Sequence, residues 1–181
     1  MANQANGILS PWLRRQRINA ALPYLKGRVL DYGCGIGVLS NFISLENYLG
    51  VDIDEGSLEI ARLNNPTKRF EKECPKGEIF DTIALIAVIE HIDEPATFLS
   101  SLKLLLAPKG NIVLTTPYAP ITWMHSFGAK TGLFSKEASD EHKTVFNYAR
   151  MEDVLCQAGI GILSYKRFLF GVNQLFIANK K

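Results

Sequence analysis

Three observations predict an α/β fold built on a doubly wound, mostly parallel sheet. From Arg28 onward, short apolar runs of strand character alternate with stretches of helical period, the rhythm of repeated βαβ units. The stretch Val29-Leu30-Asp31-Tyr32-Gly33-Cys34-Gly35-Ile36-Gly37-Val38-Leu39 passes from an apolar run through closely spaced glycines into a helical pattern. That order marks a buried strand, a tight turn and a helix start. The run 80–87 is almost continuously apolar, as a parallel strand covered on both faces must be.

Residues 1–26 carry Arg14, Arg15 and Arg17 but lack the apolar core and small-residue cleavage site of a secretory signal. Leu9, Trp12, Leu13, Gln16, Ala20 and Tyr24 recur at helical spacing behind Ser10 and Pro11, a cap and a first-turn residue. The expectation is a helix covering a sheet edge, ahead of a lid or a membrane-surface role for its arginines. Strands follow at 28–32, 48–52, 68–73, 80–87 and 111–116, with helices at 37–44, 56–64 and 95–107 between them. Asn64-Asn65-Pro66 and Pro108-Lys109-Gly110 are the stop signals. After Pro117 the rhythm breaks: 118–145 mixes Gly, Ser, Thr and His with Trp123, Phe127 and Phe134, and long connections of this kind in a compact domain are functional or disordered. A helix at 150–158 and strands at 162–168 and 174–178 close the chain as an antiparallel hairpin.

The 181 residues, 47% of them hydrophobic, suit one domain with a sizeable core. A net charge of +2 with interspersed signs argues against a dedicated nucleic-acid binder. Cys34, Cys74 and Cys156 are scattered and odd in number, which excludes a disulfide framework and a tetrahedral metal site built on CxxC pairs, and fits a reducing cytoplasm. No run is long enough to cross a bilayer.

The glycine turn reads D-x-G-C-G-x-G, which differs from the dinucleotide fingerprint G-x-G-x-x-G. Glycines there let bare backbone approach a ligand, and Asp52, about twenty residues on, ends the next strand where a nucleotide ribose needs a carboxylate. With Tyr48-Leu49-Gly50-Val51-Asp52-Ile53-Asp54, this block resembles the first two motifs of the class I S-adenosylmethionine-dependent methyltransferases. The stretches 80–92 and 105–114 are similar to the family's fourth- and fifth-strand blocks. Glu141-His142-Lys143, Met151-Glu152-Asp153-Val154-Leu155 and Ala158-Gly159 resemble the small-molecule and quinone-methylating (type 11-like) branch.

The resemblance implies a Rossmann-like seven-stranded sheet with an antiparallel C-terminal strand and helices on both faces. It divides the single domain 1–181 into an N-terminal helix (1–26), a cofactor-binding core (28–117), a substrate-covering insertion (118–147) and a closing helix and hairpin (148–181). It further implies that Gly33, Cys34, Gly35 and Gly37 face the methionine and ribose of S-adenosylmethionine, that Asp31 helps to hold its ammonium group, and that Asp52 binds the ribose hydroxyls. Ile53 lies against the adenine, and Ala87 and Val88 line the methionine side. The family's usual Asp after the third strand is missing, which leaves Glu73 and the Cys74 backbone at the adenine amino group. His91 and His142 are candidate bases, with His125 nearby in sequence terms, because an imidazole suits proton removal near neutrality. The implied activity is methylation of a small or medium-sized acceptor, at oxygen first, with S-adenosylhomocysteine as product; with the charge and cysteine pattern above, the expectation is a cytoplasmic monomer or homodimer with no metal, no nucleic-acid partner and no stable membrane insertion. Two other readings stay open: a nicotinamide-dependent oxidoreductase, and a non-catalytic regulatory or scaffold protein.

Overall fold

The computed structural model describes residues 9–74, 76–118 and 146–181. Seven strands, β1 (Val29–Tyr32), β2 (Tyr48–Val51), β3 (Arg69–Glu71), β4 (Phe80–Ile86), β5 (Leu106–Pro117), β6 (Ile160–Phe168) and β7 (Asn173–Lys180), form one sheet. Their order is β3-β2-β1-β4-β5-β7-β6, with β7 antiparallel to both neighbours and every other pairing parallel. The chain winds outward in opposite directions from β1 and β4, and such a switch point opens a crevice at the carboxyl ends of the strands.

Strand periodicity fills both faces. Leu30, Ile112, Leu114 and Phe176 point into one core with Leu99, Leu102, Met151 and Leu155, from the helices α3 (Pro95–Lys103) and α4 (Tyr148–Gln157). Their neighbours Val29, Ala84, Val113 and Leu175 point the other way, toward α1 (Leu9–Ala21) and α2 (Glu55–Asn64). Successive side chains on a strand face opposite sides, so an uninterrupted apolar run is what a sheet sandwiched between helices requires. Two helices start where side chains cap them: Asp54 accepts from the Ser57 N–H on α2, and Asn147 accepts from the Arg150 N–H on α4.

Four expectations are corrected. After the glycine turn the chain forms a 3-10 segment, Val38–Phe42, in place of a helix at 37–44. There the Ser40 hydroxyl and N–H both donate to the Gly37 carbonyl, at 2.7 and 3.1 Å, and Asn41 Nδ2 donates to the Val38 carbonyl at 3.2 Å, so local bonds displace the α-helical ladder. The helix expected to reach 107 stops at Lys103, because Leu105 turns its carbonyl to the Phe80 N–H (2.8 Å) and Leu106 pairs with Phe80 in the sheet. Pro108-Lys109-Gly110 therefore sits in a bulge of β5, between the Phe80–Leu106 and Thr82–Asn111 pairings. β3 is shorter than 68–73, spanning only Arg69–Glu71.

The fourth correction concerns α1. It lies against β4, β5 and β7, which are interior strands, and so covers the sheet's middle rather than its edge. Its buried side carries Ile18 and Ala21, while Trp12 is 49% exposed. Apolar spacing misses this face because Arg17 lies on it, with its Nε donating to Asn173 Oδ1 on β7 at 2.8 Å.

Residues 119–145 fall outside the described residues, and with them His125, His142, Trp123, Phe127 and Phe134. The two ends of that segment are held together: Tyr118 bridges Phe146, and Gln174 Nε2 donates to the carbonyls of both Pro117 (3.1 Å) and Phe146 (2.9 Å). The chain therefore leaves the described fold at Tyr118 and rejoins it at Phe146, beside the carboxyl end of β5.

Candidate active site

The glycine turn is tied to the end of β2. The N–H groups of Gly33 and Cys34 both donate to the Val51 carbonyl, at 2.7 and 3.0 Å. Gly33, Gly35 and Gly37 all have positive φ (+76°, +51° and +76°), yet they serve different ends. A Cβ on Gly33 would stand 2.5 Å from Val88 Cγ2, and one on Gly37 would stand 2.8 Å from Phe70 Cζ, whereas one on Gly35 would meet nothing within 4 Å. Two of the three glycines are thus demanded by packing inside the fold. Gly35 alone leaves its backbone open to the crevice.

Asp52 faces that backbone. Its Oδ2 accepts from the Gly35 N–H at 2.7 Å and its Oδ1 from the Asp54 N–H at 3.0 Å. Each carboxylate oxygen keeps further lone-pair capacity, enough to receive two ribose hydroxyls. Ile53 beside it is 80% exposed, a flat apolar surface with no protein cover. Glu73 is exposed and Cys74 half-buried against the main core, its thiol pushed up by burial. Both follow β3, next to the β2 end that carries Asp52.

Asp31 is the electrostatic centre of this half. It is 3% exposed, and Oδ2 accepts from the Tyr48 hydroxyl at 2.8 Å. Burial pushes its pKa up to about 7; the Tyr48 hydrogen bond opposes the rise and the nearby Asp52 charge adds to it. A cavity of about 60 Å³ opens beside it, lined among others by Gly33, Cys34, Ile86 and Arg14. The Cys34 thiol is raised by the same burial, which makes it an inert packing group.

The end of β4 supplies the other wall. Ala87 adopts φ +59°, rare for a residue with a Cβ, while its N–H donates to the Thr115 carbonyl at 2.9 Å. Val88 packs over Gly33, and a 3-10 turn, Ile89–His91, follows. That turn exposes His91 and buries Glu90. Arg17, Thr116 and Asn173 join the same end of the sheet, while Tyr48, the first residue of β2, reaches Asp31 through its hydroxyl, and sequence patterns pick out none of the four. The one signal for Arg17 is a cation set beside Ile18 on the helix face that Ala21 continues.

These residues fit a sulfonium nucleoside that carries an amino-acid tail. A buried carboxylate with a single hydroxyl partner suits an ammonium group. The open Gly35 backbone, the lone pairs of Asp52 and the bare face of Ile53 are what a methionine chain, a ribose and an adenine each require. Among the described residues no group of three or more metal-ligating side chains is assembled, and no helix is long and apolar enough to cross a membrane.

Similarity to known proteins agrees. Residues 5–165 match the family model described as a methyltransferase domain. The chain is 28% identical over 162 residues to a ubiquinone biosynthesis O-methyltransferase of Neisseria meningitidis serogroup C, covering 80% of this chain and 68% of that protein. It is 33% identical over 111 residues to the mitochondrial ubiquinone biosynthesis O-methyltransferase of Arabidopsis thaliana, covering 54% of this chain and 34% of that one. The fold is similar to magnesium protoporphyrin IX methyltransferase from Synechocystis with bound S-adenosylhomocysteine, at a TM-score of 0.73 and 18% identity, covering 100% of this chain and 90% of the other. A glycine turn with one open Cα, a ribose-ready carboxylate and a buried acid beside them thus meet in a chain whose family model spans most of its length. The chain belongs to the methyltransferase-domain family and is a class I S-adenosylmethionine-dependent methyltransferase.

Proposed function

We propose that this methyltransferase acts on an oxygen of a small acceptor. The observation that carries this reading is the likeness to ubiquinone biosynthesis O-methyltransferases, which aligns 80% of this chain with the Neisseria relative. When bound, S-adenosylmethionine supplies a methyl group already activated on a sulfonium. The protein's task is alignment, a contribution worth about 7–11 kcal/mol in well-oriented systems.

In this proposal Asp52 takes the ribose hydroxyls, Ile53 covers the adenine, and Glu73 with the Cys74 backbone meets the adenine amino group. Asp31, ionised, holds the ammonium. Gly33, Cys34, Gly35 and Gly37 shape the floor, with Gly35 as the point of backbone contact and Gly33 and Gly37 keeping the turn closed. Ala87 and Val88 line the methionine side. His91, at the exposed end of the turn after β4, removes the acceptor's proton at its imidazole nitrogen. His142 is a second proposed base and lies outside the described residues. The segment 118–147, held at both ends beside β5, covers the acceptor. The enzyme works in the cytoplasm as a monomer or homodimer on a small molecule.

The test is methyl transfer from labelled S-adenosylmethionine to a panel of hydroxylated aromatics and matched amines, with the product's methyl position read by NMR. Label on oxygen supports the reading. Label only on nitrogen or carbon overturns it.

A further inference from the structure

At the carboxyl ends of β4 and β5, polar side chains are buried without partners. Glu90 is 1% exposed, and neither Oε1 nor Oε2 has a hydrogen-bond partner. The hydroxyl of Thr116, at the end of β5, is equally buried and has no partner within hydrogen-bond distance, though it lies near enough to the Glu90 carboxyl to act on it. Across from them stands Arg17 of α1, whose Nε is committed to Asn173 Oδ1 and whose positive charge acts on Glu90. Folded proteins pair nearly all buried polar groups, and an unpaired carboxylate is among the costliest to keep. A carboxylate kept only for structure would be bonded to its counter-ion; this one faces the arginine without bonding to it.

We propose that Glu90, with Thr116 and Arg17, is the seat of the acceptor's hydroxyl group. The carboxylate accepts a hydrogen bond from the acceptor's hydroxyl until His91 beside it takes the proton, Thr116 donates to the same oxygen, and Arg17 supplies positive charge from α1. Burial raises the Glu90 pKa overall, and the Arg17 charge offsets only part of that rise. Placement supports the role. Glu90 is next to His91 and two residues beyond Val88, so a hydroxyl held there lies beside the wall assigned to the methionine side. The ligand class is a neutral molecule with a hydroxyl donor, and α1 becomes part of the acceptor site rather than a cover for the sheet. This deepens the oxygen-acceptor reading and rests on it.

The test compares phenol with anisole, the same ring with its donor removed, as binding probes on protein saturated with S-adenosylhomocysteine. Wild type should bind phenol about tenfold more tightly, the scale of a hydrogen bond to a charged group. Glu90→Leu and Glu90→Gln should erase most of that preference and Thr116→Val part of it, all with unchanged S-adenosylhomocysteine affinity. Glu90→Leu should also melt about 3 °C higher without ligand, because an unpaired buried carboxyl group has gone. Equal affinity of wild type for phenol and anisole would overturn the seat while leaving the cofactor assignment intact. A lower melting temperature for Glu90→Leu would overturn it too, by making Glu90 the structural counter-charge of Arg17. Methyl label on nitrogen together with a phenol preference would sink the oxygen reading and leave the seat standing.

Discussion

The two halves of the crevice are built by different means. On the β1–β2 side, backbone and short-range contacts do the work: the glycine turn, its bonds to the Val51 carbonyl and the Asp52 carboxylate all come from residues 31–54. On the β4–β5–β7 side, the groups that meet come from across the chain, Arg17 with Asn173 over 156 residues and Gln174 with Phe146 and Pro117. Among the described residues, the first half leaves no buried side-chain polar atom without a partner, and Asp31 is bonded to Tyr48. The second holds a buried carboxylate and threonine hydroxyls with no partner. The residues proposed to cradle the nucleotide complete their bonds locally, whereas the proposed acceptor side is assembled from distant parts of the chain and carries buried polar groups without partners.

The largest expected effect separates packing from contact within the cradle. Gly33→Ala must fit a Cβ 2.5 Å from Val88 at φ +76°, and should cost about 3 kcal/mol of stability, lowering the melting temperature by roughly 6–10 °C. Gly35→Ala, with nothing within 4 Å of its Cβ, should cost only about 1 kcal/mol of strain and weaken S-adenosylhomocysteine binding instead. Equal melting temperatures for the two variants would erase the distinction.

On the other side, His91→Ala should cut turnover about a hundredfold with near-normal cofactor affinity, as kcat and a calorimetric titration would report. Full turnover would remove His91 as the base. Asp52→Ala should lower S-adenosylhomocysteine affinity at least about tenfold, since ribose bonds and the Gly35 tether are lost together. An unchanged affinity would mean that the ribose is held elsewhere.

The smallest effect is a pH dependence centred on Asp31. Its folded pKa of about 7 lies above the ordinary 3.8, so the folded chain keeps a proton that the unfolded chain releases between those values. The stability this group contributes without ligand is present below the lower value, declines as pH rises through the window and is flat above about 7. Ammonium binding needs the ionised form and runs the other way: S-adenosylhomocysteine affinity should fall about fivefold to tenfold from pH 8 to pH 6. Asp31→Asn should flatten both curves, and pH-independent affinity in wild type would remove Asp31 from the ammonium site.

This contrast also explains what the sequence made legible. The succession of strands along the chain and the closing hairpin follow from apolar runs and turn chemistry, and the positions of Asp31, Gly35 and Asp52 follow from one compact motif, because those causes lie within a few residues. The phase of α1 escaped because the side chain that fixes it, Arg17, is charged and finds its partner on β7. The early end of α3 escaped because sheet pairing with Phe80 overrides a leucine-rich helical pattern. The Tyr48 hydroxyl on Asp31 and the orphaned Glu90 depend on register between strands and turns, which no spacing rule encodes.

A crevice shaped for a sulfonium nucleoside should bind S-adenosylhomocysteine one-to-one and give no heat with NAD when the wild-type protein is titrated with each in a calorimeter. Binding of NAD without S-adenosylhomocysteine would instead make it a dinucleotide site.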